Sequence, residues 1–166
     1  ILLQREVPIG IEDTVGSLYF DKLFQPGVRA MAEAVRMVRE GTAPKIAQDE
    51  SQATYEPPAD DANSGIDWNA RALDVYNLVR GSDPTPGAHA RLDDKRVRLY
   101  AARLTLSDAI SRSPGAVLSI GSTVDIELNG GVLHVSRLAV DGGKKLPASE
   151  AAEAAGLKPG DRFQNG

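Results

Sequence analysis

The residues able to do chemistry are few and scattered. His89 and His134 are the two histidines, and each sits in a separate apolar-alternating segment. Each reads as a surface or rim residue of a strand rather than as a base or a ligand. Asp60-Asp61 is a carboxylate pair of the kind that acid–base chemistry uses. It follows Pro57-Pro58 in a stretch with nothing nearby to tune a pKa, so it reads as solvated. Arg80 closes an apolar helix face and precedes a tight loop. It suits either an anion or the open carbonyls of a helix end. Trp68, the sole tryptophan, reads as a packing anchor rather than a stacking platform. With no cysteine, disulfides and thiolate metal sites are excluded, and no metal is expected. G-x-S-x-G, H-E-x-x-H, P-loop and G-x-G-x-x-G patterns are absent.

Charge gives a second set of candidates. The net charge is −4, which argues against a dedicated nucleic-acid binder with a basic face. The distribution is uneven, however. From Gln48 to Asp67 there are acids and no base, whereas Arg91, Lys95, Arg96, Arg98, Arg103 and Arg112 outnumber the acids between Ala88 and Arg112. Two solvated surfaces are the plain reading. A mildly basic acceptor-binding face carried by Arg91, Lys95, Arg96, Arg98 and Arg103 is the functional one.

The elements that would position these residues follow from periodicity. Ile1–Ile11 is expected to be extended, at an edge because of Pro8 and Gly10. Glu12-Asp13-Thr14 starts a helix, capped by Asp13 or Thr14. Phe24, Val28, Met31, Val35 and Val38 then fall on one helical face, with a kink or two abutting helices expected at Pro26-Gly27. That face is expected to pack on a sheet. Gly41 and Pro44 end the helix. From Lys45 to Gly65 no period is sustained, and one short strand is expected around Ala53-Thr54-Tyr55. A second helix is predicted over about 70–80, with Asn69 as N-cap and Gly81 as its end.

Five strands are predicted next: 88–92, 97–104, 115–120, 123–128 and 132–140. Asp93-Asp94-Lys95 and Asn129-Gly130-Gly131 carry turn chemistry. Val97, Leu99 and Ala101 alternate against Arg96, Arg98 and Tyr100. Leu133, Val135 and Arg137 alternate against His134, Ser136 and Leu138. Five short antiparallel strands predict a small OB-like Greek-key barrel. An alanine-rich helix starts at Pro147 and ends at Gly156, and the Phe163 tail folds back on the barrel. No apolar run reaches the ~18 residues of a membrane helix. The start of the chain lacks the pattern of a secretion signal, so a cytoplasmic protein with no membrane partner is expected.

Several segments, in collinear order, resemble the formyltransferases that use 10-formyltetrahydrofolate. They are Ile1-Leu2-Leu3-Gln4, Glu12-Asp13-Thr14, Ser17-Leu18-Tyr19, Asp21-Lys22-Leu23, Gly41-Thr42-Ala43-Pro44, Gln48-Asp49-Glu50 and Ala53-Thr54-Tyr55. Ile66-Asp67-Trp68, Tyr76-Asn77-Leu78-Val79-Arg80, Pro84 to Ala88 and Gly156-Leu157-Lys158-Pro159-Gly160-Asp161 complete the set. The resemblance implies an α+β chain in three parts. Residues 1–45 would be the C-terminal part of a Rossmann-like formyltransferase domain, a strand plus a helix. Residues 46–64 would be an interdomain linker. Residues 65–166 would be the OB-like barrel domain with flanking helices. Trp68, Arg80, Pro86 and Gly87 would form the hinge.

The resemblance also implies a donor substrate, 10-formyltetrahydrofolate, and an amine acceptor. The leading acceptor is methionyl-tRNA. The alternatives are a sugar nucleotide, formyl-folate itself, or a stand-alone barrel that binds RNA or a partner without catalysis. The family's catalytic asparagine, histidine and aspartate cannot be placed on this sequence, since the aspartate's Thr-Gly-Asp motif would precede Ile1. No catalytic residue is assigned. The missing partner would be the N-terminal catalytic portion of the same protein, without which this chain should be inactive. Tyr55 is followed by Glu56-Pro57-Pro58, where the methionyl-tRNA enzymes carry a short run ending in lysine. The barrel is also less basic than theirs. The Arg80-Gly81 loop looks closer to formyl-folate hydrolase domains and general formyltransferases.

Overall fold

The computed structural model describes residues 1–108 and 111–166. They form two compact units, Ile1–Pro58 and Ala59–Gly166.

In the first unit Thr14 caps helix α1 (Val15–Ser17) through a capping box with Ser17, which satisfies two otherwise open N–H groups. A π-helical stretch, Leu18–Leu23, leads into α2 (Phe24–Arg39). The irregularity therefore precedes the Pro26-Gly27 step, where a kink was expected. Pro26 lies in the first turn of α2, where a missing N–H costs little. Arg36 and Arg39 occupy the last turn, favourably for the helix dipole. Lys22 ties this body to the preceding segment by bonding Asp13 and the Pro8 carbonyl. The extended edge strand expected over Ile1–Ile11 does not form, since a strand needs a ladder partner and no described residue supplies one. Glu50–Gln52 is a turn of 3-10 helix, capped by Asp49, and the strand expected around Ala53-Thr54-Tyr55 is absent. No residue of this unit is buried. The predicted stripe is real as a helix face but remains open: Phe24, Val28, Met31, Val35 and Val38 are 46–68% exposed.

The second unit is built on one antiparallel sheet. Helix α3 (Ala72–Gly81) precedes β1 (Ala88–Leu92), β2 (Lys95–Leu106), β3 (Val117–Ile120), β4 (Val124–Leu128), β5 (Gly131–Val140) and β6 (Leu146–Pro147). Helix α4 (Ala148–Ala155) follows. The order is β1-β2-β5-β4-β3, with β6 on β5. The expected five-strand barrel is therefore corrected to a six-stranded sheet whose named strands leave β1 and β3 as open edges. The C-terminal tail pairs with both sides of that opening. Gln164 exchanges backbone bonds with Arg91, and Phe163 donates to the Gly115 carbonyl. Two-residue turns at Asp93-Asp94 and Asn129-Gly130 join β1 to β2 and β4 to β5, as the turn chemistry requires.

The core lies between the sheet, α3 and α4, with Trp68, Tyr76, Leu99, Ile126, Leu133 and Phe163 among its largest members. The N-cap of α3 is Arg71, not Asn69, whose side chain donates to Asp67 instead. Helix α4 ends at Gly156 in the left-handed conformation, as predicted. The alternation predicted along β2 and β5 changes phase midway. Ala101 takes a left-handed backbone (φ 49) and is exposed, so Ala102 and Leu104 turn toward the core in place of odd-numbered residues. On β5, Leu138 is buried and Arg137 exposed, the reverse of the simple pattern. No helix among the described residues is long and apolar enough to cross a membrane.

Candidate functional site

The five basic residues of the expected acceptor face lie on the β1–β2 hairpin, but they do not share one situation. Arg91 and Arg96 are register partners, as are His89 and Arg98, so these four side chains leave the same face. Asp61 sits over that face. Its carboxylate takes both nitrogen-bearing arms: Arg96 Nη1 at 2.8 Å, and Arg98 Nη2 at 2.8 and 2.9 Å to its two oxygens. Bonding to Arg98, chiefly, and the nearby charge of Arg96 hold the Asp61 carboxyl below its usual range. Arg98 also donates to the Pro86 and Gly87 carbonyls. Lys95 donates to the Ala155 carbonyl at the end of α4. Arg91 and Arg103 are exposed, and Arg103 lies beyond the phase change at Ala101. Asp61, expected to be solvated in a linker, is thus a structural member of the second unit. The ion pairs join residues 35 and 37 positions apart, so no local pattern could have signalled them.

His89, expected at a rim, is buried at 4% exposure. Its backbone binds the Ser64–Ile66 segment, while its Nδ1 and the Ser64 hydroxyl have no hydrogen-bond partner among the described residues. Burial, then the charges of Arg96 and Arg98, pull the His89 pKa down against the opposing pull of Asp61. The neutral imidazole is the form that fits.

Of the four residues expected at a hinge, Pro86 and Gly87 lie against β2, and Arg80 and Trp68 do not. Gly87 takes φ +86 with its Cα against the Tyr100 ring, where a Cβ would lie 2.4 Å from ring atoms. Tyr100 donates its hydroxyl proton to the Pro86 carbonyl, Lys145 Nζ stands 3.8 Å from the centre of the Tyr100 ring, and Asp83 accepts from the Ala101 N–H. The loop after α3 is therefore latched to β2 at the point where the strand changes phase. Arg80 lies over the Tyr76 ring and bonds Asn77 on its own helix. Trp68 is the anchor its type suggested. It is 1% exposed, stacks on Phe163 and donates Nε1–H to the Gln164 carbonyl. Trp68 and Phe163, with Asn69, Arg162, Gln164 and Asn165, line a pocket of about 410 Å³. Among the described residues no cluster of three or more His, Asp or Glu could hold a metal ion.

Comparison with known proteins bears on what these units are. A family model described as "Formyl transferase, C-terminal domain" matches residues 59–156. Cytosolic 10-formyltetrahydrofolate dehydrogenase of Xenopus laevis is 33% identical over 99% of this chain and 20% of its own length. Methionyl-tRNA formyltransferase of Moorella thermoacetica is 33% identical over 97% of this chain and 51% of its own. The chain thus spans about half the length of one kind of relative and about a fifth of the other. In fold, the crystal structure of HypX from Aquifex aeolicus in complex with tetrahydrofolic acid matches with a TM-score of 0.68 at 21% identity. That match covers 90% of this chain and 26% of the other.

Proposed function

This chain belongs to the formyl transferase family, and from that premise we propose that it is the C-terminal portion of an enzyme that moves a formyl group from 10-formyltetrahydrofolate to the amine of methionyl-tRNA. The carrying observation is the extent of the similarity. It runs through both units, over 97% of the chain, against methionyl-tRNA formyltransferases of which it spans half. In this reading residues 1–45 complete a Rossmann-like donor domain and residues 46–64 are the linker. Residues 65–166 form an OB-like domain that helps hold the acceptor. The open stripe of α2 supports the first part, because a face 46–68% exposed is the kind that a sheet covers.

The chemistry belongs to residues outside this chain. An acceptor amine attacks the formyl carbon, the tetrahedral oxyanion needs aimed donors, and the amine must lose a proton. The second unit contributes binding. Among its five candidate cations, Arg91, exposed on β1, is the one we assign to acceptor phosphates. Lys95, Arg96 and Arg98 already serve the fold through Ala155, Asp61 and the Pro86-Gly87 carbonyls.

A second reading has its own support. The relation to 10-formyltetrahydrofolate dehydrogenases reaches 36% identity over 90% of the chain, for the mitochondrial protein of Mus musculus. Here formyl-folate itself is the substrate. A formyl-transfer assay on the full-length polypeptide, with methionyl-tRNA, an amino-sugar nucleotide and water as competing acceptors, separates the readings. Formyl-methionyl-tRNA as the main product is expected, and formate release alone would refute the tRNA reading. A stand-alone RNA-binding barrel would instead bind tRNA with no formyl transfer. Phosphate contacts would give a steep salt dependence, from which Arg91→Ala removes about one unit of slope.

A further inference from the structure

Away from the hinge, the outer face of the sheet carries a second polar arrangement. It includes the other histidine, His134 on β5, which has Arg103 of β2 and Asp125 of β4 as its two register partners. His134 Nδ1 lies 2.8 Å from Asp125 Oδ1, and Nε2 lies 2.9 Å from Thr105 Oγ1. Asp125 also accepts from the Thr123 and Ser119 hydroxyls at 2.7 and 2.8 Å. Partial burial alone would raise the Asp125 carboxyl, but these three donors outweigh it and bring the carboxyl below its usual range. An ionised carboxylate only accepts, so Nδ1 donates to it, and in the tautomer that leaves a lone pair on Nε2 the Thr105 hydroxyl donates to that nitrogen. Hydroxyl, base and orienting carboxylate stand in the relation that activates an alcohol nucleophile. The Thr105 residue is exposed, and the His134 side chain is 31% exposed, so a reagent can reach them.

We propose that Thr105, activated by His134 and Asp125, is an acylation site that takes the acyl group of an activated ester. Thr105 Oγ bonds to the ester carbonyl carbon as its proton passes to His134 Nε2. The carbon–oxygen bond to the leaving group then breaks, the alkoxide departs with the electron pair, and His134 releases its proton to that group or to solvent. Water attacks the acyl-Thr105 ester in the same way and regenerates the hydroxyl with release of the free acid.

The test uses the full-length polypeptide and p-nitrophenyl acetate. Peptide mapping by mass locates the added acetyl groups, and p-nitrophenolate release gives the rate. The expected result is a hydroxylamine-sensitive acetyl ester on Thr105. It should form roughly a hundredfold faster than on an exposed hydroxyl such as Ser122, the usual yield of a positioned general base. Thr105→Ser keeps the reaction, and His134→Gln removes the enhancement. Acetyl groups confined to lysines and the terminal amine overturn the proposal, as does a His134→Gln protein acetylated at Thr105 as fast as the original. Should that variant fail to fold by circular dichroism, Asp125→Asn decides. At least tenfold slower acetylation supports the assignment, and an unchanged rate refutes it.

Discussion

Replacing Trp68 should separate two contributions to the join between α3's entry and the C-terminal tail. The indole is 1% exposed, lies 5.8 Å between centroids from the Phe163 ring at an interplanar angle of 24°, and donates to the Gln164 carbonyl at 3.1 Å. Trp68→Phe keeps an aromatic surface against Phe163 but removes one of the two donors to that carbonyl, the Arg91 N–H remaining, and opens a small void. Together these cost about 2 kcal/mol. Trp68→Ala also removes the stacked surface and should cost about 4 to 5 kcal/mol, a large part of a small domain's stability. At roughly 5 °C per kcal/mol for a unit of this size, the expected losses in Tm are about 10 and 20 °C. Far-UV circular dichroism is the assay, because the protein's only tryptophan fluorescence disappears with the residue. A double-mutant cycle with Phe163→Leu should give a coupling energy of about 1 kcal/mol. If Trp68→Ala melts within ~1 kcal/mol of the original, or the two substitutions simply add, the tail does not depend on this stack.

Three further outcomes follow from the same structure. Gly87→Ala should cost about 2 to 4 kcal/mol, from the positive φ and the collision with Tyr100. Pairing it with Tyr100→Ala should recover the steric part, so a strictly additive pair would refute the contact. His89 has a folded pKa below the unfolded 6.5, so the unfolded chain binds more protons. Its contribution to stability is complete above that pH and is lost as pH falls from 6.5 toward the lower folded value. Urea melts at pH 5 to 7 should show that slope, and His89→Gln should flatten it. Met31→Glu and Val35→Glu on the open face of α2 should leave the melting of the second unit unchanged but destabilise the full-length polypeptide. Equal melting in both settings would mean that nothing covers the stripe.

Local physics was legible in the sequence wherever the partner was close. Asp13-Thr14 marked the first helix, because a capping box closes within four residues. Val124, Ile126 and Leu128 alternate in the sequence with Thr123, Asp125 and Glu127, and all three are buried, because alternation is a property of one strand. Illegibility began where the backbone broke its own period. Alanine at 101 gives no hint of a positive φ, yet that residue inverts which side chains of β2 and β5 face the core. The strand expected at Ile1–Ile11 failed for a different reason. Its pattern was adequate, but a strand exists only with a ladder, and none is supplied here.

The candidate site exposes the limit of counting charges along a chain. Six bases between Ala88 and Arg112 suggested a basic face, but a single carboxylate, Asp61, reaches over β2 and converts two of them into a structural clasp. The same sheet makes the opposite conversion at His134. Spacing along the sequence predicted nothing for it, because its partners come from strands on either side. What decides its chemistry is the pairing order β1-β2-β5-β4-β3, which puts β5 between β2 and β4. Had β5 lain at an edge, His134 could have met the hydroxyl of Thr105 or the carboxylate of Asp125, but not both. The base and its orienting group are a consequence of topology, so a substitution that shifts the β4–β5 register by one residue should abolish the arrangement while leaving all three side chains in place.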